Sequence, residues 1–493
     1  NADASGDGGN IKVFSPDTAL FREGARIEAE AGFQLGNGGF VDVSGWEQIE
    51  INGLVSTLSL NGENGEFLID PYNVTISSAA DSNTGFVTDT YTPSGTPSVI
   101  NVGTLITNLQ SGNVTVVTTG AGGESGNITV ANAINLDGTH GNILQFNADG
   151  NIFVNANIKD QATGSADFTS LGFTAGGNIN IADGIEVNSG GGTISMAAGG
   201  TISLTNLLSE GGSMFLTAVA IADAGDTGTG YDINSGGGEV NFNVSSHIGG
   251  TSYATALEVA DSKLTFISGT ANQNIYLDAG LSTSDITIGN IDYNGGNGLD
   301  FNIRAINGAS IIFDGTVDDS NTGTADSATF NIQTSSVNGD LTITNGSTLR
   351  SRGGDITVSV LGDASLSHLW SDGGAINITA DNIWDNGTGI ADLNASGGLI
   401  TLSASGNIGG SAFSSALEIN DAILDIITTG TNQNVYLIND GTAGLTINNV
   451  DYNGTGTFNY NVRATNTGNL TVTGSVTDSA AGSTDVATIN FET

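Results

Sequence analysis

Apolar and polar residues alternate along most of this chain, and this alternation is its clearest structural signal. Ile179 and Ile181 are separated by asparagine, and Ile194 and Met196 by serine, so that apolar side chains fall on one face. A period of two is typical of a strand with one buried face. Glycine and β-branched residues, which are poor helix formers, dominate the same stretches. The pattern therefore predicts an all-β protein.

Glycine pairs precede many of these alternating runs at a regular step. Because glycine supplies the positive φ that tight corners need, each pair predicts a corner of one coil. The step from one pair to the next suits a β-solenoid that forms a single elongated rod with short loop excursions. At roughly 20 residues per coil, the rod would have about 25 coils and a length on the order of 120 Å. The pairs begin at Gly191, Gly211 and Gly237, and at Gly353, Gly373 and Gly397.

A second, longer period runs through the chain. One acidic segment occurs three times, and its residues recur 159 positions apart, as do Arg304 and Arg463. Self-similarity at a long period indicates a repeat architecture in which no unit closes a core alone. We place two copies at about 141–297 and 298–455, and a truncated copy at 456–493. The acidic markers of the repeat are Asp160, Asp319 and Asp478, and Asp167, Asp326 and Asp485.

The pattern divides the chain into three parts. Residues 1–78 form a leading segment with its own motifs, and residues 112–493 continue to the end with the coil pattern. Between them, residues 79–111 begin with a loop rich in glycine, proline, aspartate and serine. Within 102–109 two leucines lie one helical turn apart, which predicts one short helix. We expect this middle segment to protrude from the rod or to cover one side of it.

Charge and composition exclude several classes of partner. The chain has 51 acidic and 9 basic residues, a formal net charge of −42, so it lacks the basic surface that nucleic acid or an anionic membrane requires. No apolar run is long enough to span a bilayer, and we expect no membrane insertion. Cysteine is absent, which fits equally a protein exported unfolded through an oxidising compartment and a solenoid that needs no disulfides.

Four motifs lie near the amino end of the chain: GGNIKVF at 8–14, GNGGFVDVSG at 36–45, EINGLVST at 50–57 and, as the most specific, FLIDPYNVTI at 67–76. These motifs resemble those of filamentous-haemagglutinin-like exoproteins of two-partner secretion. The resemblance implies a right-handed parallel β-helix, export through a dedicated outer-membrane pore, and a surface-bound or shed extracellular product, often an adhesin. The secretion domain of such proteins is not in this sequence, so we expect an export segment to have preceded it.

One group of residues suggests polysaccharide cleavage, which needs two carboxylates, or a carboxylate and a basic residue, in a groove. Asp318 and Asp319 are adjacent, and Arg304 precedes them by about one coil. Asp319 and Arg304 recur as Asp478 and Arg463, however. An active site is normally built once, whereas a structural feature is copied with its repeat. We therefore expect structural roles for these residues and no enzymatic activity.

The sequence predicts no cofactor and no transition-metal site, because cysteine is absent and the three histidines are far apart. Two loops rich in aspartate and asparagine offer the oxygen ligands that calcium prefers. They predict at most weak binding of calcium at the surface. The candidate ligands are Asp223, Asp226, Asp318 and Asp319.

Recurrent asparagines predict amide ladders at the corners of the coils. In such a ladder the side-chain amides of stacked residues bond to one another along the direction of stacking. The residues proposed for the ladders are Asn272 and Asn274 with Asn432 and Asn434.

These features predict a non-enzymatic extracellular rod on the bacterial outer surface that mediates attachment or contact between cells or with matrix. Loops on the rod would contact a host or bacterial receptor or a polysaccharide. Two alternatives stay open. Neither end shows a polar cap, which would suit a head-to-tail extracellular filament or sheath. A polysaccharide lyase or glycosidase on the same fold is the other alternative.

Overall fold

Parallel strands dominate the structure, a computed structural model that is all-β apart from one α-helix and two 3₁₀ turns in the described residues. Most strands pair with strands one coil before and one coil after them, as Ile356 pairs with Ile376 and Ile376 with Ile400. The predicted parallel β-helix is therefore confirmed. The described residues are 4–45, 48–70, 73–79, 98–118, 125–139, 141–160, 168–225, 230–268, 273–279, 284–293, 298–318, 327–387, 389–465, 468–479 and 486–493.

The chain folds as two compact units, Asn1–Val240 and Asn241–Thr493. Most coils of the first unit contain three strands, and strands in the same position of successive coils pair with one another. The strands are β1 (Asn10–Ser15), β2 (Thr18–Phe21), β3 (Arg26–Glu28), β4 (Phe40–Gly45), β5 (Gln48–Ile51), β6 (Leu54–Ser56), β7 (Glu66–Asp70), β8 (Val74–Ser77), β9 (Ser98–Asn101), β10 (Asn113–Thr118), β11 (Ile128–Val130), β12 (Ile134–Asn135), β13 (Ile143–Ala148), β14 (Ile152–Val154), β15 (Ile158–Lys159), β16 (Ser170–Ala175), β17 (Ile179–Ile181), β18 (Glu186–Asn188), β19 (Ile194–Ala198), β20 (Thr201–Leu204), β21 (Asn206–Leu208), β22 (Met214–Ala218), β23 (Ala220–Asp223), β24 (Ile233–Asn234) and β25 (Glu239–Val244), which crosses the boundary.

A helix, α1 (Val102–Leu109), replaces a strand in the third coil of the first unit. It contacts both β6 and β12, and its residues Leu105 and Leu109 are buried. The Asn108 side chain accepts a 2.6 Å hydrogen bond at Oδ1 from the Val55 amide on β6. The predicted helix is present, and it covers an open strand edge on one side of the coils.

The strand before this helix is inserted between two coils. β9 lies between β5 and β8, since Val99 pairs with Glu50 on one side and with Thr75 on the other. The sheet that contains β2, β5 and β8 therefore has one extra strand, β9. At the same level, the side of the unit that contains β3 and β6 has the helix α1. Both additions follow the segment 79–97, whose residues from 80 onward lie outside the described part of the chain.

The second unit contains coils with two long strands and coils with three shorter ones. Two 3₁₀ turns, Tyr253–Thr255 and Phe413–Ser415, connect strands of this unit. The strands after β25 are β26 (Leu257–Ala260), β27 (Lys263–Ser268), β28 (Gln273–Asp278), β29 (Ile286–Tyr293), β30 (Leu299–Ala305), β31 (Ile311–Phe313), β32 (Thr316–Asp318), β33 (Ala328–Thr334), β34 (Leu341–Ile343), β35 (Thr348–Arg350), β36 (Ile356–Ser359), β37 (Ala364–Leu366), β38 (His368–Trp370), β39 (Ile376–Ala380), β40 (Ile383–Asp385), β41 (Leu393–Asn394), β42 (Leu399–Ala404), β43 (Leu417–Asn420), β44 (Ala422–Thr428), β45 (Thr431–Asn439), β46 (Leu445–Tyr452), β47 (Thr455–Ala464), β48 (Leu470–Val472), β49 (Val476–Asp478) and β50 (Val486–Glu492).

Copies of the repeat lie on opposite sheets of the second unit. β28 and β30 pair within one sheet, whereas their counterparts β45 and β47 pair within the other. β29 and its counterpart β46 are exchanged in the opposite sense. Each of these two strands also pairs with two short strands at once, β29 with β31 and β32, and β46 with β48 and β49. Equivalent outward residues of successive copies therefore face opposite sides of the unit.

A column of aromatic rings runs through the core of the second unit. Phe242, Phe266, Phe301 and Phe330 are at most 2% exposed. Successive ring centroids in this column are 4.9, 5.9 and 5.8 Å apart. The four rings belong to successive coils, so each coil adds one ring to the column, and Phe266 and Phe301 meet across the core from strands of different sheets.

The glycine pairs form corners for two separate physical reasons. Gly373 has a φ of +114°, a backbone conformation that residues with a Cβ rarely adopt. A Cβ built on Gly374 would lie 2.1 Å from the carbonyl oxygen of Gly354 in the preceding coil. Ser371 closes the corner, because its Oγ donates a 2.6 Å hydrogen bond to the Gly374 carbonyl. The predicted role of the glycine pairs is confirmed here.

Most coils are longer than the roughly 20 residues predicted for them. The coil that pairs Ile194 with Met214 has the predicted length, whereas the coil that pairs Val114 with Leu144 is half as long again. The glycine corners set the shortest step, and loops between strands lengthen the other coils. The prediction of about 25 coils is therefore too high.

Candidate functional site

The repeated acidic residues have different surroundings where they are described. Asp160 is fully buried after β15, and its Oδ2 accepts a 3.2 Å hydrogen bond from Thr169 Oγ1. Asp478 is exposed at the end of β49. The other four markers lie outside the described residues: Asp167, Asp319, Asp326 and Asp485.

Arg304 and Asp318, which were considered together for polysaccharide cleavage, are bound to other partners. Arg304 forms an ion pair with Asp278 on the neighbouring strand. Asp318 accepts hydrogen bonds of 2.7 and 3.0 Å from Nε and Nη2 of Arg352. Because β30 and β32 pair within different sheets, the fold gives each of the two residues its own ion pair.

Arg304 and Arg463 belong to a structural module that occurs in both copies of the repeat. The Arg304 guanidinium lies 4.5 Å from the centroid of the Tyr253 ring, and that of Arg463 lies 3.8 Å from the Phe413 ring. Each ring begins a 3₁₀ turn, so the cation–π contact holds that turn against the sheet. The same two rings meet further aromatic residues edge to face, at 5.6 Å for Tyr276 and 5.4 Å for Tyr436.

The calcium candidates of the sequence are only partly described. Asp223 Oδ1 accepts a 2.6 Å hydrogen bond from the Gly225 amide and so closes a turn after β23. Asp318 is paired with arginine, which competes with any cation for its oxygens. Asp226 and Asp319 lie outside the described residues. Weak calcium binding by these two loops stays a prediction.

Three acidic residues that the sequence analysis did not single out come together in the second unit. Asp385 ends β40, Asp392 directly precedes β41, and Glu418 lies on β43. The three carboxylates have oxygen atoms that all lie within 4.8 Å of one another. Asp392 is fully buried, whereas Asp385 and Glu418 are partly exposed. We call these three residues the acidic cluster.

Backbone amides orient the acidic cluster and leave part of it unpaired. The Gly387 amide donates a 2.7 Å hydrogen bond to Asp385 Oδ1, and the Glu418 amide donates a 3.0 Å hydrogen bond to Asp392 Oδ2. Asp392 Oδ1 and the buried Ser367 Oγ have no hydrogen-bond partner among the described residues. A Cβ built on Gly387 would lie 2.9 Å from Asp392 Oδ1, 3.6 Å from Asp385 Oδ1 and 3.7 Å from Ser367 Oγ. Oxygen atoms of three residues thus face one small space beside Gly387.

The acidic cluster is a region of uncompensated negative charge. None of the ion pairs found among the described residues involves its members. Burial, the adjacent Glu418 carboxyl and the charge of Asp385 together raise the pKa of Asp392 to about 10. Burial also raises the pKa of Glu418, to which the charges of Asp385 and Asp440 add. In the absence of a cation, the cluster therefore holds a proton at neutral pH.

A signal for the acidic cluster exists in the repeat. Asp232 and Glu258 occupy the positions that correspond to Asp392 and Glu418 in the preceding copy, and the residues around them are similar. The sequence analysis missed this signal because Asp392 and Glu418 are far apart in the chain. Only the register of neighbouring coils brings such residues into contact.

Asparagine ladders are present in both units. Asn407 Oδ1 accepts a 2.9 Å hydrogen bond from the backbone amide of Asn434, and Asn434 Oδ1 accepts one of 3.0 Å from Asn459 Nδ2. In the first unit the ladder bonds run from backbone to side chain: Oδ1 of each asparagine accepts a hydrogen bond of 2.6 to 2.8 Å from the backbone amide of the next residue in the series Asn73, Asn127, Asn151 and Asn178.

The predicted partners in the ladders are wrong. Asn434 bonds to residues one coil away and not to Asn274 in the previous copy of the repeat. A ladder bond spans only the distance between neighbouring strands, about 4.8 Å, and copies of the repeat are several coils apart. Asn432 also bonds to the next coil, through the Thr457 amide at 2.9 Å, and Asn272 lies outside the described residues.

A cavity of about 800 Å³ opens in the first unit beside the start of α1. Its lining includes Arg22, Glu50, Asn52 and Asn101. Asn101 Oδ1 caps the helix by accepting a 2.8 Å hydrogen bond from the Gly103 amide. The cavity is polar and of mixed charge, and the helix amide at its edge is already satisfied within the fold.

Comparison with known proteins leaves the function to be inferred from this geometry. No family model matches the chain, and no curated protein matches it. Among the residues that the structure describes, no helix is both long and apolar enough to cross a bilayer.

Proposed function

We propose that this protein is a non-enzymatic structural and adhesive β-helix, secreted to the bacterial outer surface, where it attaches the cell to other cells or to matrix. The parallel stacking of its coils is the observation that carries the proposal. Each coil of such a stack rests on its two neighbours, so a scaffold can grow by adding coils without enlarging its core. This property suits a protein that holds contact surfaces away from a cell.

The division between core and surface supports the same function. Ile356, Ile376 and Ile400 stack in the interior with no exposed surface. The neighbouring positions Thr357 and Asn377 pair with each other and are polar and accessible. The inward residues suffice to specify the coil, so outward residues and loops are available for binding.

The amino-terminal motifs support an extracellular location through their resemblance to the haemagglutinin-like exoproteins. The motif FLIDPYNVTI contributes to β7 and β8, and its residues Phe67, Val74 and Ile76 are buried. The motif is thus part of a coil and serves the β-helix that the resemblance implies. The absence of cysteine is compatible with export of an unfolded chain.

The charge of the chain limits the partner. A net charge of −42 repels acidic polysaccharides and anionic lipid surfaces. A neutral polysaccharide or a protein receptor with a neutral or basic surface therefore fits best. Adhesion to a neutral partner should persist at high salt, whereas adhesion to a basic surface should weaken, because salt screens the long-range attraction of charged surfaces.

Bead adhesion tests the proposal. Beads coated with the full chain are mixed with immobilised neutral polysaccharides and with bacterial and host cells at about 0.15 M and about 0.5 M salt. Over this range the Debye length, the distance over which charges act on one another, becomes shorter. Beads coated with an unrelated acidic protein of equal charge are the control. Retention at both salt concentrations on at least one surface is expected, and equal retention of the control beads would overturn the adhesive assignment.

The same polysaccharides test the non-enzymatic part of the proposal. They are incubated with the full chain and examined for new reducing ends and new unsaturated ends, which hydrolases and lyases respectively create. We expect neither product. Products that disappear in Asp318→Ala would instead establish the polysaccharide-cleaving alternative.

A further inference from the structure

We propose that the acidic cluster, Asp385, Asp392 and Glu418, binds a divalent cation, and that Ca²⁺ is the ion that fits its donors best. The cluster lies within the second unit and differs from the loops in which the sequence predicts weak calcium binding. The proposal does not depend on adhesion, so the two can fail separately.

The distances between the carboxylates suit a shared ion. Oxygen ligands lie about 2.3 to 2.6 Å from Ca²⁺, so two oxygens on one ion are at most about 5 Å apart. The three carboxylates of the acidic cluster meet this limit, since their oxygens lie within 4.8 Å of one another. Asp385 and Glu418 are partly exposed, which leaves a route from solvent to the site.

The unpaired hydroxyl of Ser367, which is not a member of the acidic cluster, is a second and independent observation. Asp392 and Ser367 are both fully buried, and Asp392 Oδ1 and Ser367 Oγ have no partner in the described part of the chain. Both atoms face the space beside Gly387, into which Asp385 Oδ1 also points. A buried polar atom without a partner is costly, and a cation in this space would satisfy the two oxygens together.

Three other half-buried or buried carboxylates of the second unit are compensated by arginine. Asp318 is bound by Arg352, Asp372 by Arg350 and Asp278 by Arg304. The acidic cluster has no such arginine among the described residues, although three carboxylates meet there. A bound cation would take the place that arginine has elsewhere.

The chemistry of the donors selects the class of ion. All donors are oxygens, which hard cations prefer, whereas Zn²⁺ prefers the nitrogen and sulfur ligands that this site lacks in the described residues. Mg²⁺ requires a near-ideal octahedron, but Ca²⁺ accepts the irregular arrangement offered by residues from several segments. Waters and backbone carbonyls commonly complete such a site.

Counting bound ions tests the proposal directly. The full chain is stripped with a chelator, dialysed, and titrated with Ca²⁺ in a calorimeter and by equilibrium dialysis. Because Asp232 and Glu258 repeat the sequence around Asp392 and Glu418, the informative quantity is the difference between wild type and variant. We expect Asp392→Asn to bind one ion fewer per chain than wild type.

Two further variants separate loss of the site from loss of folding. Gly387→Ala keeps all three carboxylates but places a methyl group 2.9 Å from Asp392 Oδ1, and it should also lose one ion. Asp300→Asn removes a carboxylate from an exposed position of β30 and should bind as many ions as wild type. Circular dichroism establishes that each variant is folded.

Terbium luminescence places the ion within the structure. Tb³⁺ is a luminescent substitute for Ca²⁺ that a nearby tryptophan can excite. Trp370 Nε1 donates a 3.2 Å hydrogen bond to the carbonyl of Ala391, the residue before Asp392, and Trp384 directly precedes Asp385. Tb³⁺ emission excited through tryptophan should fall severalfold when both are replaced by phenylalanine, while the number of bound Ca²⁺ ions stays unchanged.

If wild type, Asp392→Asn and Gly387→Ala bind the same number of ions, and a chelator changes the melting temperature of all three equally or not at all, the acidic cluster holds a shared proton and no cation. That result would overturn the proposal and leave the adhesive function untouched. A ligand bound only to the folded state must raise its stability, so the proposal requires Ca²⁺ to raise the melting temperature of wild type more than that of Asp392→Asn.

Discussion

The guanidinium group of Arg463 lies 3.8 Å from the centroid of the Phe413 ring, and the corresponding contact between Arg304 and Tyr253 is 4.5 Å long. The two rings differ by one hydroxyl group, and the arginines differ in their acidic partners, Asp278 for Arg304 and Glu492 for Arg463. The Tyr253 hydroxyl is buried and has no hydrogen-bond partner among the described residues. Burial also raises the pKa of Tyr253, so the hydroxyl stays protonated. The repeat thus offers an internal comparison of the same module with and without an unsatisfied polar group.

Tyr253→Phe should therefore stabilise the protein. Removal of a buried hydroxyl without a partner raises the free energy of unfolding by about 1 kcal/mol, and the ring contact with Arg304 is kept. Urea unfolding followed by tryptophan fluorescence and circular dichroism measures the change. The reciprocal variant, Phe413→Tyr, should lower the free energy of unfolding by a similar amount. A loss of stability in Tyr253→Phe would show that the hydroxyl has a partner that the described contacts do not include.

Two adjacent glycines should respond to alanine by different amounts. Gly373→Ala strains a positive φ with no atom nearby and should cost about 1–2 kcal/mol of unfolding free energy. Gly374→Ala forces a Cβ against the backbone of Gly354 and should cost about 3 kcal/mol. Urea unfolding gives both values. Gly9→Ala is the control, since its new Cβ meets nothing within 4 Å, and equal losses in all three variants would contradict the two-cause explanation.

The asparagine ladder predicts a difference between two substitutions at one position. Asn407→Ala removes the acceptor of the Asn434 amide and should lower the free energy of unfolding by about 1–2 kcal/mol. Asn407→Asp keeps an acceptor oxygen and should recover most of this loss. The chain already has an aspartate as the acceptor in an equivalent bond, since Asp363 Oδ1 accepts a 3.1 Å hydrogen bond from the backbone amide of Asn382. Amide hydrogen exchange at residue 434 should accelerate in Asn407→Ala and not in Asn407→Asp.

The acidic cluster predicts a pH dependence of stability in the presence of a chelator. The folded-state pKa of Asp392 is raised to about 10, so its contribution to stability is full below the unfolded value near 4 and is lost as the pH rises toward 10. The free energy of unfolding should therefore fall between pH 5 and pH 8. Like charges on Asp385, Glu418 and Asp440 act in the same direction.

The control for this pH dependence is Asp392→Asn, which cannot ionise at residue 392. Its free energy of unfolding, measured with urea at the same pH values and with the same chelator, should change less between pH 5 and pH 8. Saturating Ca²⁺ should also flatten the wild-type profile, because the cation binds the deprotonated carboxylates. An identical slope in wild type and variant would show that Asp392 does not titrate in this range.

The sequence by itself determined the class of fold and the form of its corners. Alternation with a period of two specified strands with one buried face, and the regular step of the glycine pairs indicated stacked coils. The pairs Gly373–Gly374 and Gly353–Gly354 marked corners that the structure confirms. The helix over Val102–Leu109 was also visible in the spacing of its leucines. These features depend on neighbours in sequence, so a local pattern is enough to predict them.

Tertiary structure alone decided which distant residues meet. Arg304 is bound to Asp278 and not near Asp318, because strand pairing and not chain order sets the partner. Asp392 and Glu418 are in contact although a whole coil of chain separates them, because the length of that coil and its loop places Glu418 beside Asp392. The loops make each coil a different length, and without those lengths the register between coils cannot be calculated from a repeating pattern.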